Sequence, residues 1–317
     1  MDWQSELDAL VLARARGSEL SLSQQELLHS FLPTGVGDRA YAILPLVYPQ
    51  LATLDIPINC RSLWCLYLPL AIYLTAQTAP FVLGIFGMQG TGKTTLTRVL
   101  QIAIQVLGKT AITLSLDDLY KTYADRLTLQ KSDPRLRWRG VPSTHDIDLG
   151  IGVLSSFQQG IYPLKIPRFD KSLHNGHGDR TTPEIVNNPA DILLFEGWFV
   201  GLKPLPASAF SQSQQFAMDC NSKLADYQQL WQFIDYLLAL IPEDYTISLA
   251  WRSQAEMQQK EQGKGAMSPG EIKEFVQYFW QALPPDLFLP SISTYADMVV
   301  LLRDDRTILE IRRVSNQ

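Results

Sequence analysis

The sequence predicts an α/β fold, with a mainly parallel five-stranded sheet between two layers of helices and an α-helical extension before it. Short apolar runs alternate with stretches of helical periodicity, and a glycine-rich turn joins the first of these runs to a helix. The composition agrees with this class, because 46% of the 317 residues are hydrophobic and 19% are charged. A chain of this length can bury a large core in one α/β unit.

The N-terminal extension, residues 1–79, is expected to be helical. "SELDALVLARA" has apolar residues at helical spacing, and "SLSQQELLHSFL" opens on a capping box formed by Ser21 and Gln24. Residues 62–77, "SLWCLYLPLAIYLTAQ", carry no charge but contain Pro69 and are too short for a typical membrane span. We therefore expect a buried helix here and no membrane span.

Residues 80–317 carry the pattern of the sheet. The five predicted strands lie in "PFVLGIFG", "KTAITLSLDD", "ADILLFEGWFVG", "YTISLAWR" and "ADMVVLLRDD", with helical stretches between them. Two long segments, 121–146 and 162–190, have little periodicity and are rich in charged residues, as functional loops often are. A charged helix, glycines at 263–265 and a second helix capped by Ser268 predict a helical lid over about residues 251–282, although an ordinary exposed helix fits the same pattern.

A phosphate-binding loop is the most specific signal in the chain. "GIFGMQGTGKTT" fits G-x-x-x-x-G-K-[ST] between a strand and a helix, where backbone N–H groups and the helix N-terminus would hold the phosphates of ATP or GTP. Lys93 would reach the β- and γ-phosphates, and Thr94 would place its hydroxyl on Mg²⁺. The predicted nucleotide-binding residues are Gly87, Gln89, Gly90, Thr91, Gly92, Lys93, Thr94 and Thr95. The loop therefore predicts a P-loop nucleotide-binding protein.

Carboxylates end two of the predicted strands. Asp117 and Asp118 follow the second strand, at the edge where open α/β sheets bind their ligands. Either could accept a proton from a substrate hydroxyl or hold a metal ion, and a solvated turn is the alternative. Glu196 ends the third strand, where a carboxylate often binds Mg²⁺ through water, or it caps a helix. These positions favour small-molecule phosphoryl transfer.

Cationic side chains that could bind an anionic substrate lie in the long segments. Arg168, Lys171 and Arg180 fall in "PRFDKSLHNGHGDR", and arginine pairs well with carboxylates, although a solvated charge run fits this spacing equally. Arg139 and His145, in "RGVPSTHDIDLG", could line an acceptor pocket.

Two further polar residues have separate expected roles. Asp146 is expected to cap the helix that begins near Ile147. Arg252, at the start of the predicted lid, could neutralise charge that develops on the transferred phosphoryl group.

The charge and cysteine content exclude several classes of protein. A net charge of −5 argues against a general nucleic-acid binder, which would need a basic face. The three cysteines are odd in number and lack zinc spacing, so reduced thiols in the cytoplasm are expected. "MDWQSELDAL" has neither the basic start of a signal peptide nor the character of a transit sequence.

Taken together, the motifs resemble the plant and cyanobacterial type of D-glycerate 3-kinase, within the phosphoribulokinase/uridine kinase-like P-loop group. "LWCLYLPLA", "GIFGMQGTGKTTL", "SLDDLY", "RGVPSTHDI", "IPRFDKS", "GDR", "LLFEGWFVG", "WRSQAE" and "MSPGEIKEFVQYF" occur in the order of that family. The resemblance implies a P-loop three-layer sandwich that transfers the γ-phosphate of ATP to the 3-hydroxyl of D-glycerate, with Mg²⁺, in photorespiratory salvage. The segment 283–293, "LPPDLFLPSIS", departs from the family pattern.

The resemblance also implies roles for single residues. Lys93, Asp117 and Arg252 would be catalytic, and Thr94, Asp118 and Glu196 would serve the metal ion. The substrate would contact Asp117, Arg139, His145, Arg168, Lys171 and Arg180. A kinase for a nucleoside, pantothenate or a sugar phosphate, and a nucleotide-dependent regulatory protein, are the alternatives. The sequence does not determine the oligomeric state.

Overall fold

A six-stranded sheet forms the centre of the protein, in a computed structural model that describes residues 3–54, 59–261 and 267–313. Its order is β2-β5-β1-β6-β7-β8, and only β8 runs antiparallel to its neighbour. A separate antiparallel hairpin pairs β3 with β4. The strands are β1 Phe81–Gly87, β2 Ala111–Ser115, β3 Leu164–Asp170, β4 Asp179–Val186, β5 Ile192–Gly197, β6 Tyr236–Pro242, β7 Met298–Leu302 and β8 Ile308–Arg313.

Helices cover both faces of this sheet. They are α1 Trp3–Ala15, α2 Leu22–Ser30, α3 Gly37–Leu51, α4 Cys60–Ser62, α5 Leu68–Thr75, α6 Lys93–Val106, α7 Tyr123–Ser132, α8 Ile147–Gln158, α9 Gln215–Trp231, α10 Ile247–Glu261, α11 Pro269–Ala282 and α12 Pro285–Ile292. A π-helical turn, Leu63–Tyr67, joins α4 to α5, and 3₁₀ turns occupy Ala52–Leu54, Leu116–Leu119 and Ala207–Ala209. The predicted α/β class with a mainly parallel sheet is confirmed.

Three helix starts follow the capping chemistry that the sequence predicts. Ser21 and Gln24 form the capping box of α2, and Ser268 forms another at α11. Asp146 accepts a hydrogen bond from the backbone N–H of Leu149 at the start of α8. These contacts satisfy backbone donors that have no partner inside the helix.

The core forms two apolar layers, one on each face of the sheet. The first layer contains the N-terminal helices and α6 on one face of β1, with Trp64 fully buried and its indole N–H donating to the carbonyl of Leu28 at 3.0 Å. The second layer contains α8, α9, α11 and α12 on the opposite face. The run 62–77 is thus a buried helix against the sheet, as predicted. The division of the chain at residues 79 and 80 stays a prediction.

The prediction of a strand in "YTISLAWR" is wrong, because its first two residues form a turn and its last six begin α10 at Ile247. The carboxylate of Asp244 accepts the backbone N–H of Thr246 at 2.9 Å and turns the chain just before this helix. The strand beside β1 is instead β6, "YLLALIP", whose leucines and alanine favour a helix by propensity. Burial between β1 and β7 overrides that propensity.

The sheet also has a sixth strand, β8, that the five predicted strands do not include. It lies at the edge and has only Ile308 buried, so its sequence lacks an apolar run. The aperiodic segment 162–190 contains the β3–β4 hairpin, and 121–146 contains α7. The two helices of the predicted lid are α10 and α11, whereas the glycines at 263–265 lie outside the described residues. None of the helices in the described part of the chain is long and apolar enough to cross a bilayer.

Candidate active site

The phosphate-binding loop connects β1 to α6 and requires glycine at two positions. Gly90 and Gly92 have φ angles of +83° and +88°, a conformation that other residues adopt with strain. A Cβ atom on Gly90 would also lie 2.5 Å from Cβ of Trp251, so a larger residue would clash there as well. The hydroxyl of Thr91 donates to the carbonyl of Met88 at 2.8 Å and closes the turn.

Lys93 lies at the first position of α6, inside the curve of this loop. Its ammonium group donates to the carbonyls of Gly87 at 2.7 Å and Met88 at 3.1 Å. Burial lowers the pKa of Lys93, and the charges of Glu196 and Asp117 oppose that shift. Burial raises the pKa of Glu196, and the charge of Lys93 opposes that rise. The ends of β1, β2 and β5 therefore bring one cation and two carboxylates into a single electrostatic group.

Asp117 has two close hydrogen-bond donors. Its Oδ1 accepts the hydroxyl of Tyr120 at 2.6 Å, and its Oδ2 accepts the ammonium of Lys171 at 2.6 Å. Burial alone would raise the pKa of Asp117, but the charge of Lys171 and these two hydrogen bonds outweigh burial and hold it well below its usual range. Asp117 is therefore an ionised carboxylate with fixed orientation next to Lys93.

Asp118 points to different partners although it is the next residue. Its Oδ2 accepts the backbone N–H of Ser115 at 3.1 Å, which caps the 3₁₀ turn, and an N–H of Arg168 at 2.7 Å. Burial raises the pKa of Asp118, with the charge of Arg168 opposing the shift. This oxygen thus holds β2 and β3 together.

The arginines expected at the substrate site already have protein partners. Arg168 also pairs with Glu184 at 2.6 Å, and Arg180 pairs with Asp146 at 2.7 Å. Arg139 donates to the carbonyl of Gly176 at 2.7 Å. Lys171 differs from them because its side chain is 61% exposed and its partner is Asp117.

His145 lies behind Tyr120 rather than at the surface of the site. Its side chain is almost fully buried, its ring stacks on Tyr120 with centroids 4.7 Å apart, and its Nδ1 lies 2.7 Å from the hydroxyl of Tyr227. Burial lowers the pKa of His145 to about 3, so the imidazole is neutral at pH 7. Its Nε2 has no hydrogen-bond partner among the described residues.

Arg252 lies on α10 and forms an ion pair with Glu256, one helical turn later. Glu256 is buried and also accepts the backbone N–H of Met267 at 2.9 Å, so it ties α10 to the residues before α11. The Nε atom of Arg252 is buried without a partner within the described ranges. The guanidinium also lies 5.1 Å from the ring centre of Phe275.

Sequence reasoning missed two residues that hold the site together. Tyr120 belongs to "SLDDLY", but only its spacing of three from Asp117 could have indicated the contact. Arg306, in the turn between β7 and β8, donates to the carbonyl of Gly90 at 2.8 Å and lies over the ring of Trp251 at 5.1 Å. No motif marks Arg306, because this contact joins residues 216 positions apart.

A magnesium ion fits the loop only with ligands beyond the protein. Thr94 is exposed at the second position of α6, as the loop pattern requires. Within the described residues no group of three His, Cys, Asp or Glu side chains could hold a metal ion. Mg²⁺ commonly keeps several waters and binds through one or two protein groups plus phosphates, so this donor set is compatible with it.

The sheet, the loop and the strand-end carboxylates define a P-loop kinase. No protein-family model matches the chain. The chloroplastic D-glycerate 3-kinase of Arabidopsis thaliana is 32% identical over 264 residues, which are 75% of this chain and 57% of the plant protein. The uncharacterized kinase mug58 of Schizosaccharomyces pombe is 35% identical over 217 residues, which are 63% of this chain and 78% of the yeast protein.

A solved structure gives the same fold. The D-glycerate 3-kinase from Cryptococcus neoformans superposes with a TM-score of 0.67 and 25% identity, over 89% of this chain and 99% of that one. The chain belongs to the family of P-loop kinases that contains these relatives. It spans 57% of the length of the plant relative.

Proposed function

We propose that this protein transfers the γ-phosphate of ATP to the 3-hydroxyl of D-glycerate and releases ADP and 3-phosphoglycerate. The observation that carries the proposal is the position of Asp117, which shares one electrostatic group with Lys93 of the phosphate-binding loop and has an exposed cation, Lys171, on its other oxygen. Two of the relatives named above are D-glycerate 3-kinases. A hydroxy acid would place its hydroxyl near Asp117 and its carboxylate near a cation.

The chemistry assigned to Asp117 is orientation of the hydroxyl followed by proton acceptance. The substrate oxygen forms the new bond to phosphorus, the bond from phosphorus to the bridging oxygen of ADP breaks, and the hydroxyl proton passes to the carboxylate. In phosphoryl transfer with a loose transition state, the nucleophile needs little activation before the bond to the leaving group weakens. A carboxylate with a lowered pKa therefore suffices, because its main task is to hold the hydroxyl in line.

The proposed carboxylate anchors are Arg168, Lys171 and Arg180, with Arg139 lining the pocket and His145 buried behind it. All three anchors are paired with protein carboxylates, but Lys171 has the most exposed side chain and can turn toward a substrate, whereas Arg168 and Arg180 are less exposed. We propose that these two arginines contribute positive charge around the pocket. His145 contributes through Tyr120, on which it stacks.

The proposed metal partners are Thr94, Asp118 and Glu196. When bound, Mg²⁺ would neutralise phosphate charge and orient the γ-phosphate for transfer. Glu196 is half-buried, interacts electrostatically with Lys93 and would act through water. Asp118 would have to use the oxygen that does not pair with Arg168.

Arg252 is proposed to act from the lid formed by α10 and α11. Its guanidinium is paired with Glu256, so lid movement would have to exchange this partner for the transferred phosphoryl group. A cytoplasmic location and a role in photorespiratory salvage in a cyanobacterium belong to the same proposal and rest on the sequence resemblance alone.

The test is ADP release by the purified protein with Mg-ATP and one acceptor at a time. D-glycerate, L-glycerate, uridine, pantothenate and ribulose 5-phosphate form the panel, and the phosphorylated product is identified by mass and position. We expect turnover with D-glycerate and formation of the 3-phosphate. Turnover with another acceptor alone would reject D-glycerate as the substrate, and ADP release independent of every acceptor would favour the regulatory alternative.

A further inference from the structure

The loop between β3 and β4, residues 171–178, begins with Lys171 and has a strained backbone. His174, Asn175 and Gly176 follow one another with φ angles of +51°, +56° and +89°. The first two are not glycine, and side chains adopt this conformation at a cost in free energy that surrounding contacts must offset. The contacts that hold the loop therefore also determine where Lys171 lies.

Two guanidinium groups donate to three successive carbonyls of this loop. Arg139 donates to the carbonyl of Gly176 at 2.7 Å. Arg126, on α7, donates to the carbonyl of His177 at 2.8 Å and to that of Gly178. A charged donor forms the stronger class of hydrogen bond, and the planar fork of arginine can serve two acceptors at once. Arg126 has no part in the phosphate chemistry described above.

The third bond of Arg126 joins this loop to the chain segment that follows Asp117. Its Nε donates to the carbonyl of Lys121 at 3.1 Å, and Lys121 is the residue after Tyr120. Tyr120 and Lys171 are the two side chains that donate to the carboxylate of Asp117. One guanidinium group therefore links the two segments that carry these donors.

The ring of Phe169, on β3, packs against the same groups. The guanidinium carbons of Arg126 and Arg139 lie 5.3 and 5.5 Å from its centre, within the range of cation–π attraction. The ring of Tyr120 lies 4.9 Å away, edge to face. A Cβ atom on Gly178 would lie 2.3 Å from the Phe169 ring, so the loop backbone rests directly on it. The loop is thus packed as well as hydrogen-bonded in one position.

We propose that Arg126 is a positioning residue that holds Lys171 at the acceptor site through the loop 171–178. The inference rests on the proposed function for the identity of the acceptor. Arg126 acts through the loop backbone and does not touch the substrate. The side chain of Lys171 is 61% exposed, so its own ion pair with Asp117 is screened by solvent and contributes little to the order of the loop. Without the fork of Arg126, the ammonium group would spend less time within reach of Asp117 and of a substrate carboxylate.

The test compares Arg126→Gln with the wild type by hydrogen–deuterium exchange and by steady-state kinetics. The amides of residues 172–178 should exchange faster in the variant, because the loop carbonyls have lost their charged donor. The KM for D-glycerate should rise by about tenfold, the scale of one hydrogen bond to a charged group. The KM for ATP should stay constant, as should the affinity for inorganic tripolyphosphate, which carries the phosphates of ATP and no nucleoside.

Arg135→Gln is the matched control for the loss of an arginine. Arg135 pairs with Asp133 and Asp219 and, in the described part of the chain, has no hydrogen bond to this loop. Exchange in the loop and the KM for D-glycerate should therefore stay as in the wild type. Arg126→Lys, which keeps the charge and loses the fork, serves if the glutamine variant does not fold, and both effects are expected in the same direction.

A double-mutant cycle with Lys171→Met tests whether Arg126 acts through Lys171. In the Lys171→Met background, Arg126→Gln should raise the KM for D-glycerate no further, because the group that it positions is gone. Increases in KM that add in the double variant would overturn the positioning role. Loop exchange at the wild-type rate in Arg126→Gln, or an unchanged KM, would overturn it as well.

The outcomes separate this inference from the proposed function, because the exchange measurement requires no substrate. Faster exchange confined to the loop, with a raised KM for a different acceptor in a protein that does not phosphorylate D-glycerate, would support the role of Arg126 and reject the substrate. Faster exchange throughout the protein in both Arg126 variants would indicate a general loss of stability and overturn the positioning role.

Discussion

Replacement of Lys171 by Met removes the cation that donates to Asp117 and leaves a side chain of similar length. Burial would then raise the pKa of Asp117, because the charge of Lys171 is the largest influence that opposes burial in the wild type. The two charged groups have side chains 61% and 32% exposed, so solvent screens their attraction. With an effective dielectric constant between that of the protein surface and water, the lost attraction is about 1–4 kcal/mol, or roughly 1–3 pKa units.

The direction of the pH effect follows from the wild-type pKa. The pKa of Asp117 in the wild type is well below its usual range, so this carboxyl stays ionised in mildly acidic solution. The wild-type activity should therefore show no loss from this group there. In Lys171→Met the pKa rises, and kcat should fall as the pH decreases through the new value. If Lys171 also binds the substrate carboxylate, the KM for D-glycerate should rise at every pH while the KM for ATP stays constant.

The assay is ADP release from pH 9 down to the lowest pH at which both proteins stay folded, at saturating ATP, with Lys165→Met as the control. Lys165 is an exposed lysine on β3, the strand that Lys171 directly follows, and it has no role in the site. An acid limb at the same pH in wild type and Lys171→Met would refute the coupling between Lys171 and Asp117. An unchanged KM for D-glycerate would remove Lys171 from substrate binding and leave the pH effect to be judged separately.

Three further changes test other parts of the site. Lys93→Ala should abolish turnover and weaken tripolyphosphate binding without changing the fold, as circular dichroism would show; normal turnover would remove the loop from the mechanism. Tyr120→Phe should lower kcat by about tenfold or more, since a hydrogen bond to a charged group contributes about 1.5–3 kcal/mol, and an unchanged kcat would mean that Asp117 is oriented without it. His145→Gln should reduce acid sensitivity: the folded pKa is about 3 and the unfolded value about 6.5, so wild-type stability is lost as the pH falls through this interval, by at most about 1.4 kcal/mol per unit. The measurement is urea unfolding of both proteins at pH 7 and pH 5. An equal loss of unfolding free energy in the two proteins between these pH values would contradict this prediction.

The sequence predicts those features whose cause is local. The phosphate-binding loop depends on glycines at positive φ and on a strand and a helix next to it in the chain, so its motif is sufficient. The caps at Ser21, Asp146 and Ser268 are local in the same way. Strand β6 was missed because its leucine-rich sequence has a single β-branched residue, Ile241, and only its place between β1 and β7 makes it a strand.

The partners of the charged residues depend on tertiary structure and could not be predicted. Arg168 looks like a free cation in the sequence, but the β3–β4 hairpin brings Glu184, the cross-strand partner of Ile166, to its guanidinium, and the fold places Asp118 beside it. Arg306 reaches the loop only because β7 ends next to β6, which is itself next to β1. The spacing of these residues along the chain does not indicate these contacts.

The two aspartates of "SLDDLY" show how the fold separates residues that the sequence leaves equivalent. Each could be the base or a metal partner when only the chain is considered. The 3₁₀ turn Leu116–Leu119 directs Asp118 back to the N–H of Ser115, where Arg168 also meets it. The same turn brings Tyr120 to Asp117, and the hairpin supplies Lys171 to its second oxygen. Asp118 is thereby used to join β2 to β3, while Asp117 keeps an exposed, exchangeable partner, and this difference supports Asp117 as the group that receives the substrate hydroxyl.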